Sequence, residues 1–462
     1  MRILVWSVML LVFMLKIALG EEALNIGTRL ELFIDDYLIE KMKGVSFELH
    51  HPIPQGTVFT FDAPWEGDTS AYVTIFQDGD KYKMYYRGSN GENGHPEVAC
   101  VAESTDGIHW ERPTLGIYEF NGSKDNNIVW FSKGSHAFVP FKDTYPTAKP
   151  DQLYKAVAPG SGDGRSVLYA FLSQDGYRWK PLSDKAIITD GAFDSQNVAF
   201  WDANLKKYVC YYRDFRNQVR DIKRATSDDF IHWTAGEWLD WGEAPAEHLY
   251  TNAIMPYPYA PHIYVGFPKR FVPNRKAVES HPIMGVSDGV FISSRDGLKF
   301  KRWREAFMRP GLDQTNWTDR NVMAAWGILE LKSGELTIYY SQHYRHATNG
   351  LMRATIRKDG FVSLHADANG GEMLTKAIIF SGKELVLNYS TSAIGEIKVE
   401  IQDKDGKPIP GFAMEDCQTI YGDEIMRVVS WKGKKDVSHL AGKPVRLRFK
   451  LMDADLCSIC FR

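Results

Sequence analysis

FDSQNVAFWDANLKKYVCYYRDFR, residues 193–216, holds two runs of strand-forming residues around a short polar turn. Val198, Phe200 and Trp201 make the first run, and Asp202-Ala-Asn-Leu-Lys-Lys supplies the turn. Tyr208-Val-Cys-Tyr-Tyr makes the second run, rich in aromatic and β-branched side chains that suit a pleated surface. A β-hairpin is expected. Asp194 stands before its first strand, and Arg213-Asp214 closes its second.

The same unit recurs. Tyr72-Val-Thr-Ile-Phe, a turn at 77–80 and Tyr82-Lys-Met-Tyr-Tyr-Arg87 repeat the hairpin. A heptapeptide follows such hairpins: Ser104-Thr-Asp-Gly-Ile-His-Trp110, Ser173-Gln-Asp-Gly-Tyr-Arg-Trp179, Ser227-Asp-Asp-Phe-Ile-His-Trp233 and Ser294-Arg-Asp-Gly-Leu-Lys-Phe300, with a weaker copy at Arg357-Lys-Asp-Gly-Phe361. The turn aspartates Asp106, Asp175, Asp229, Asp296 and Asp359 are separated by 69, 54, 67 and 63 residues. In each turn the Asp is expected to accept backbone N–H bonds, the Gly to supply positive φ and the aromatic residue to fold back over the hairpin. A four-stranded unit cannot bury both of its faces alone, whereas radial stacking of five units can. The fold class is therefore all-β, a five-bladed β-propeller over roughly residues 50–370. A long β-sandwich or a β-helix is the competing architecture, and the period-2 pattern excludes a helical solenoid.

From about residue 375 the strands become short and alternating, as in Lys383-Glu-Leu-Val-Leu-Asn, Ile397-Lys-Val-Glu-Ile-Gln and Val445-Arg-Leu-Arg-Phe-Lys, with turns such as Asp405-Gly-Lys-Pro. They predict a small C-terminal antiparallel β-sandwich. At the other end, Arg2, the apolar run Ile3 to Leu15 and Ala18-Leu19-Gly20 have the layout of a secretory signal, with a signal anchor as the alternative reading. The expected organisation is a signal at 1–20, a propeller at 21–372 and a sandwich at 373–462, in a secreted or periplasmic protein without a transmembrane segment in the mature chain. Leu30 to Ile39 alternates and is expected to be an opening strand or a closing segment.

The formal charge of −3 over 462 residues provides no basic stripe for nucleic acid. Five cysteines, an odd and widely spaced set, do not form a disulfide framework. Cys457-Ser-Ile-Cys460 lacks the second pair or His partner of a zinc site, so strand packing is its expected role. No motif requires a cofactor or a metal ion, a structural calcium ion in the channel has no supporting pattern, and the oligomeric state is left open.

In a propeller the innermost strand of each blade lines the central channel, so polar residues at the starts of these strands converge. Those residues are Glu66 and Asp68, His136, Asp194, Glu247 and His248, then Asp319 and Arg320. Carboxylates from three blades around one pocket suit glycosidic bond cleavage, in which one carboxyl protonates the leaving oxygen and a second attacks or activates water. Arg87, Arg213, Arg270 and Arg320, at strand ends, could bind an acidic sugar or brace neighbouring blades. Tyr72, Tyr250, Tyr257 and Trp326 are candidate stacking platforms.

With this repeat, signal and trailing sandwich, the chain resembles the secreted five-bladed glycoside hydrolases of families 32 and 43. Those enzymes carry an early N-D-P-N-G segment, an R-D-P segment opening a middle blade and an E-C segment one blade later. Here Pro64-Trp-Glu-Gly-Asp68, Phe193-Asp194 and Ala246-Glu-His248 occupy the corresponding places without the full motifs. The resemblance implies a carbohydrate substrate, Asp68 or Glu66 as nucleophile or base, Asp194 as a positioning carboxylate and Glu247 as acid. Arg87, His136, Asp214, His248, Tyr250, Arg270 and Arg320 are the expected substrate-binding residues. Each candidate also has an ordinary reading: a loop for Glu66 and Asp68, a turn cap for Asp194, and ion pairs for Asp214 and for Glu247 with Arg270. Two rival functions use the same fold. A glycan-binding propeller would not bring Asp68, Asp194 and Glu247 together, and a polysaccharide lyase would show a mouth of His136, Tyr250 and arginines.

Overall fold

The structure, a computed structural model, describes residues 23–91 and 94–462. The expected secretory signal at 1–20 lies outside the described residues. Among those residues, no helix is long and apolar enough to cross a membrane.

The chain divides into two units, His51–Lys358 and a second unit that joins Asp359–Arg462 to the chain up to His50. The first unit carries five separate sheets. Blade 1 is Ala71–Asp78, Lys81–Gly88, Val98–Ser104 and Ile128–Trp130, and blade 2 is Val139–Lys142, Tyr154–Gly162, Arg165–Ser173 and Trp179–Pro181. Blade 3 contains the hairpin quoted at the outset, as Val198–Asp202 and Lys207–Arg216, followed by Val219–Ser227 and Glu237–Trp238. In blade 4 one strand is interrupted, because Pro268 has no N–H to give the ladder. Its two parts, Ala260–Gly266 and Lys269–Val272, both pair with Val286–Ser294.

Blade 5 is composite. Leu329–Lys332, Glu335–Gln342 and Gly350–Arg357 are completed by Ile53–Thr60, the first strand of the unit, which pairs antiparallel with Gly350–Arg357. The sequence reading began the repeats after this strand and so missed the closure.

Four of the five Asp turns have the expected geometry. Asp106 Oδ1 accepts the N–H groups of Ile108 and His109 at 2.8 Å, Ser104 Oγ accepts from Gly107, and Gly107 has φ +69°. Asp175, Asp229 and Asp296 repeat the arrangement, with Phe230 taking the positive-φ position that glycine holds elsewhere. The fifth copy departs from it. Asp359 belongs to the other unit, where its carboxylate accepts from Asn388 and Ser458.

The Tyr-Tyr pairs of the repeat join blades. Tyr85 of blade 1 donates to Gly176 C=O in the blade 2 turn at 2.9 Å, and Tyr211 of blade 3 donates to Gly297 C=O in blade 4 at 2.7 Å. Tyr339 of blade 5 donates to Gly107 C=O in blade 1 at 2.5 Å. A Cβ at Gly107 would lie 2.6 Å from the Leu331 side chain, so this turn needs glycine for space as well as for φ.

The second unit is a ten-stranded sheet, antiparallel except where Leu24–Gly27 runs parallel to Ile378–Phe380. Two long strands, Leu385–Asp403 and Val445–Phe461, carry it, and both halves of each contribute to a single core with Phe412 and Trp431. The small antiparallel domain expected at 373–462 is thus enlarged by chain assigned from sequence to the propeller. Glu31–Leu32, Ile39–Lys43, Ser46–Leu49, Val362–Ala366 and Gly371–Thr375 all pair within this sheet. The boundaries at 21 and 372 therefore shift to the division at 50/51 and 358/359. The reason is that apolar residues of these segments, including Ile26, Phe33, Leu364 and Met373, bury in the core shared with the C-terminal strands. Cys457 and Cys460 lie within the strand Val445–Phe461.

Candidate active site

The inner ends of the blades meet around an aromatic cluster. Ala71 and Tyr72 of blade 1, Ala137 before blade 2, Tyr250 of blade 4, and Met323 and Tyr344 of blade 5 form one buried group. Gln196, before blade 3, reaches across to Val73 C=O at 2.8 Å. The backbone is strained here. Tyr72, Ala253 and Val322, each at the start of an inner segment, have φ of +57°, +44° and +56°, and His343 and Arg345 are also positive. Residues other than glycine rarely take such angles, a β-branched valine least of all, and strain of this kind gathers at binding and catalytic sites.

On this framework stands a line of charged groups. His136 lies between two carboxylates, with Nδ1 2.9 Å from Glu97 Oε2 and Nε2 2.7 Å from Asp194 Oδ1. Burial acts to lower its pKa, but the bonds to Asp194 and Glu97 prevail and raise it above the ordinary 6.5. The His136 bond, aided by Arg213 and Arg320, holds Asp194 well below the usual carboxylate range. Asp194 nevertheless remains open, its side chain 60% exposed. Arg87 is buried under Tyr72, with bonds to Glu97, Thr69 C=O and Tyr344 Oη.

The side of Tyr250 carries a surplus of cations. Lys269 Nζ lies 4.0 Å from the ring centroid, and the guanidinium carbons of Arg213, Arg220 and Arg320 lie 5.1, 5.4 and 5.5 Å away. Burial, then the neighbouring Arg320, pushes the Lys269 pKa well down. Asp319, buried, takes His281 at 2.9 Å and both Arg320 and Arg345 at 3.5 Å. The Tyr72 and Tyr250 hydroxyls are 3.4 Å apart, and burial raises the Tyr72 pKa well above its ordinary value.

Of the residues expected from sequence, Asp194, Arg87, His136, Tyr250 and Arg320 come together. Asp68 sits at the rim of the same centre: its carboxylate accepts from Gly91 N–H at 2.8 Å, and its carbonyl accepts from Arg345 N–H at 2.7 Å. His248 touches the cation group through Arg220, whose backbone N–H donates to its Nδ1.

Four residues lie elsewhere. Glu66 is fully buried, with its oxygens taken by Arg112, Tyr86 Oη and Ala63 N–H, so it braces blade 1 and has no oxygen open to a substrate. Glu247 pairs with Arg270 and Arg302 at 3.3 Å, and Arg270 also grips Asp288 with both prongs of its fork. Among the described residues Glu247 shares no partner with Asp194. Asp214 forms an ion pair with Lys223 at 2.7 Å. Tyr72, Tyr250, Tyr257 and Trp326 are buried and offer no face for a sugar to stack on.

Glu97, Arg220, Lys269, Tyr344 and Arg345 were not anticipated. A signal for part of the set exists in the recurring Asn-Val or Asn-Ala steps at Asn197, Asn252 and Asn321. Asn197 and Asn321 each accept the backbone N–H of a residue at the centre, Arg213 and Tyr344. Among the described residues no cluster of His, Cys, Asp or Glu could hold a metal ion.

No family model matches the chain. A curated relative, "Uncharacterized protein Rv1502" of Mycobacterium tuberculosis, is 30% identical over 154 residues, 32% of this chain and 44% of the relative. The chain thus spans less than half the length of the curated relatives it matches. Similar solved structures include one described as "Glycoside hydrolase", 15% identical with TM-score 0.48 over 66% of this chain and 93% of that one. Another is the Bombyx mori GH32 β-fructofuranosidase BmSUC1, 9% identical with TM-score 0.45 over 88% of this chain and 94% of that one.

Proposed function

We propose that this protein hydrolyses glycosidic bonds at the centre of the propeller. One observation carries the reading: an exposed carboxylate, Asp194, is kept ionised by an imidazole that is itself clamped by Glu97, among residues in strained backbone conformations. An ionised, open carboxylate suits attack on an anomeric carbon or activation of the water that attacks it. Asp68, on the neighbouring rim, is the second carboxyl and protonates the departing sugar oxygen. The glycosidic C–O bond breaks, the hydroxyl of water ends on the anomeric carbon, and its proton ends on the leaving group. The apolar start of the chain behind Arg2 supports delivery of this activity outside the cytoplasm.

The test is a panel of neutral and acidic oligosaccharides with 4-nitrophenyl glycosides, using wild type, Asp194→Asn and Asp68→Asn. Removal of the attacking or activating group is expected to lower kcat by about 100-fold or more on every substrate. Loss of the acid should spare the nitrophenyl glycosides, whose leaving group needs no proton. Full activity in Asp194→Asn would overturn the assignment. The pairing of the Tyr72 and Tyr250 hydroxyls among arginines favours a second reading, β-elimination from a uronide. That reaction is recognised in the same panel by unsaturated products that absorb in the ultraviolet.

A further inference from the structure

We propose that the cations around Tyr250 form a subsite for a negatively charged sugar unit, one that bears a carboxylate or a sulfate. The inference rests on the glycan-cleaving reading and names the substrate class for that site. Three guanidinium groups, those of Arg213, Arg220 and Arg320, and the amine of Lys269 are gathered about one ring. Like charges drawn together in a partly dry environment repel, and the attraction of each to an aromatic face offsets this only in part.

The protein's own carboxylates do not balance the group. Asp319 is shared by Arg320, Arg345 and His281, and Asp194 is bonded to His136 with Arg213 only at 3.9 Å. Among the described residues neither Arg220 nor Lys269 has a carboxylate within ion-pair distance. Lys269, completely buried, has the Asp319 backbone carbonyl at 3.2 Å. The Nε atom of Arg220 is buried and has no hydrogen-bond partner. Buried donors without acceptors are costly in a folded protein, and they are satisfied when a ligand supplies the acceptor. A guanidinium fork fits the oxygens of a carboxylate or sulfate, and a neutral hydroxyl offers no charge to a group this cationic. The neighbouring Asp194 would then place the charged unit beside the bond to be broken.

The test compares the thermal transition of the full chain with D-glucuronate, D-galacturonate and galactose 6-sulfate, each against its neutral sugar at matched ionic strength. The acid is expected to raise the transition and the neutral sugar to leave it in place, with at least about a tenfold difference in apparent Kd. Response to the uronates alone identifies a carboxylate subsite, and response to the sulfated sugar alone a sulfate subsite. Arg220→Met and Lys269→Met should abolish the difference. Arg220→Met should also leave the ligand-free protein as stable as wild type or more so, because it relieves repulsion with Arg213 and Arg320; loss of a merely structural cation would lower stability instead.

Equal responses to acidic and neutral sugars, no response to any acid, or an acid-specific response that survives in both variants would overturn the proposal. Cleavage confined to neutral glycans would remove this inference and leave the hydrolase reading in place. Acid-selective binding with no bond cleaved would do the reverse.

Discussion

Nε2 of His136 lies 2.7 Å from Oδ1 of Asp194, and this contact ties an exposed carboxylate at the start of blade 3 to an imidazole at the start of blade 2. Its pH dependence follows from the two shifts. His136 is raised, so its stabilising contribution is complete below the ordinary 6.5 and is lost as pH rises through the raised folded value. Asp194 is lowered, so its contribution is present above the ordinary 3.8 and is lost as pH falls through the depressed folded value. The stability difference between wild type and Asp194→Asn should therefore be largest between about pH 4 and 6.5. NMR titration of the His136 ring should give a midpoint above 6.5 in wild type and a lower one in Asp194→Asn; coincident midpoints would refute the coupling.

Tyr339→Phe removes the donor to Gly107 C=O and leaves that buried carbonyl unpaired at the junction of blades 5 and 1. A loss of about 1–3 kcal/mol in denaturant unfolding is expected. The equivalent changes at Tyr85 and Tyr211 should cost a similar amount, since each serves one junction in the same way.

Glu247→Gln should separate stability from activity. Glu247 neutralises two guanidinium groups, of which Arg302 is almost completely enclosed, while Glu247 itself is partly open to water. Unfolding should become easier by about 1–3 kcal/mol, with kcat close to wild type on any substrate the protein cleaves. A large fall in kcat without a change in stability would return Glu247 to the chemistry.

Glu66→Gln should be the more damaging of the two. It leaves Arg112 without its bidentate partner beside a fully buried site that also receives the Tyr86 hydroxyl. Breaking such a buried pair costs about 3–5 kcal/mol. Soluble yield and the unfolding midpoint should both fall, and joint replacement of Glu66 and Arg112 by apolar residues of similar volume should recover part of the loss.

The blades were legible in the sequence because each repeats local chemistry: alternating strands, an Asp turn and an aromatic residue that follows it. What the sequence hid was non-local. Ile53–Thr60 has no hairpin partner nearby in the chain, and its place in blade 5 is set by pairing with Gly350–Arg357. The sheet around Val445–Phe461 draws in strands from both ends of the chain, which no local period could reveal.

The site was half legible for the same reason. Asp194, His136 and Arg320 mark the starts of inner segments and were found by position. Glu66 and Glu247 occupy comparable positions, but arginines distant in sequence claim them: Arg112 for Glu66, and Arg270 and Arg302 for Glu247. Lys269 was missed because it follows a proline in the middle of a blade, where nothing local marks it as facing Tyr250.

The composite blade also orders events in time. The strand Ile53–Thr60 leaves the ribosome before any blade exists, yet its partner Gly350–Arg357 is the last strand of the unit to be made. Until then it is an unpaired edge, open to pairing with another chain. A nascent propeller is therefore an open arc, and the centre, to which blades 1 and 5 contribute Tyr72, Arg87, Arg320 and Tyr344, can take shape only once the arc has shut.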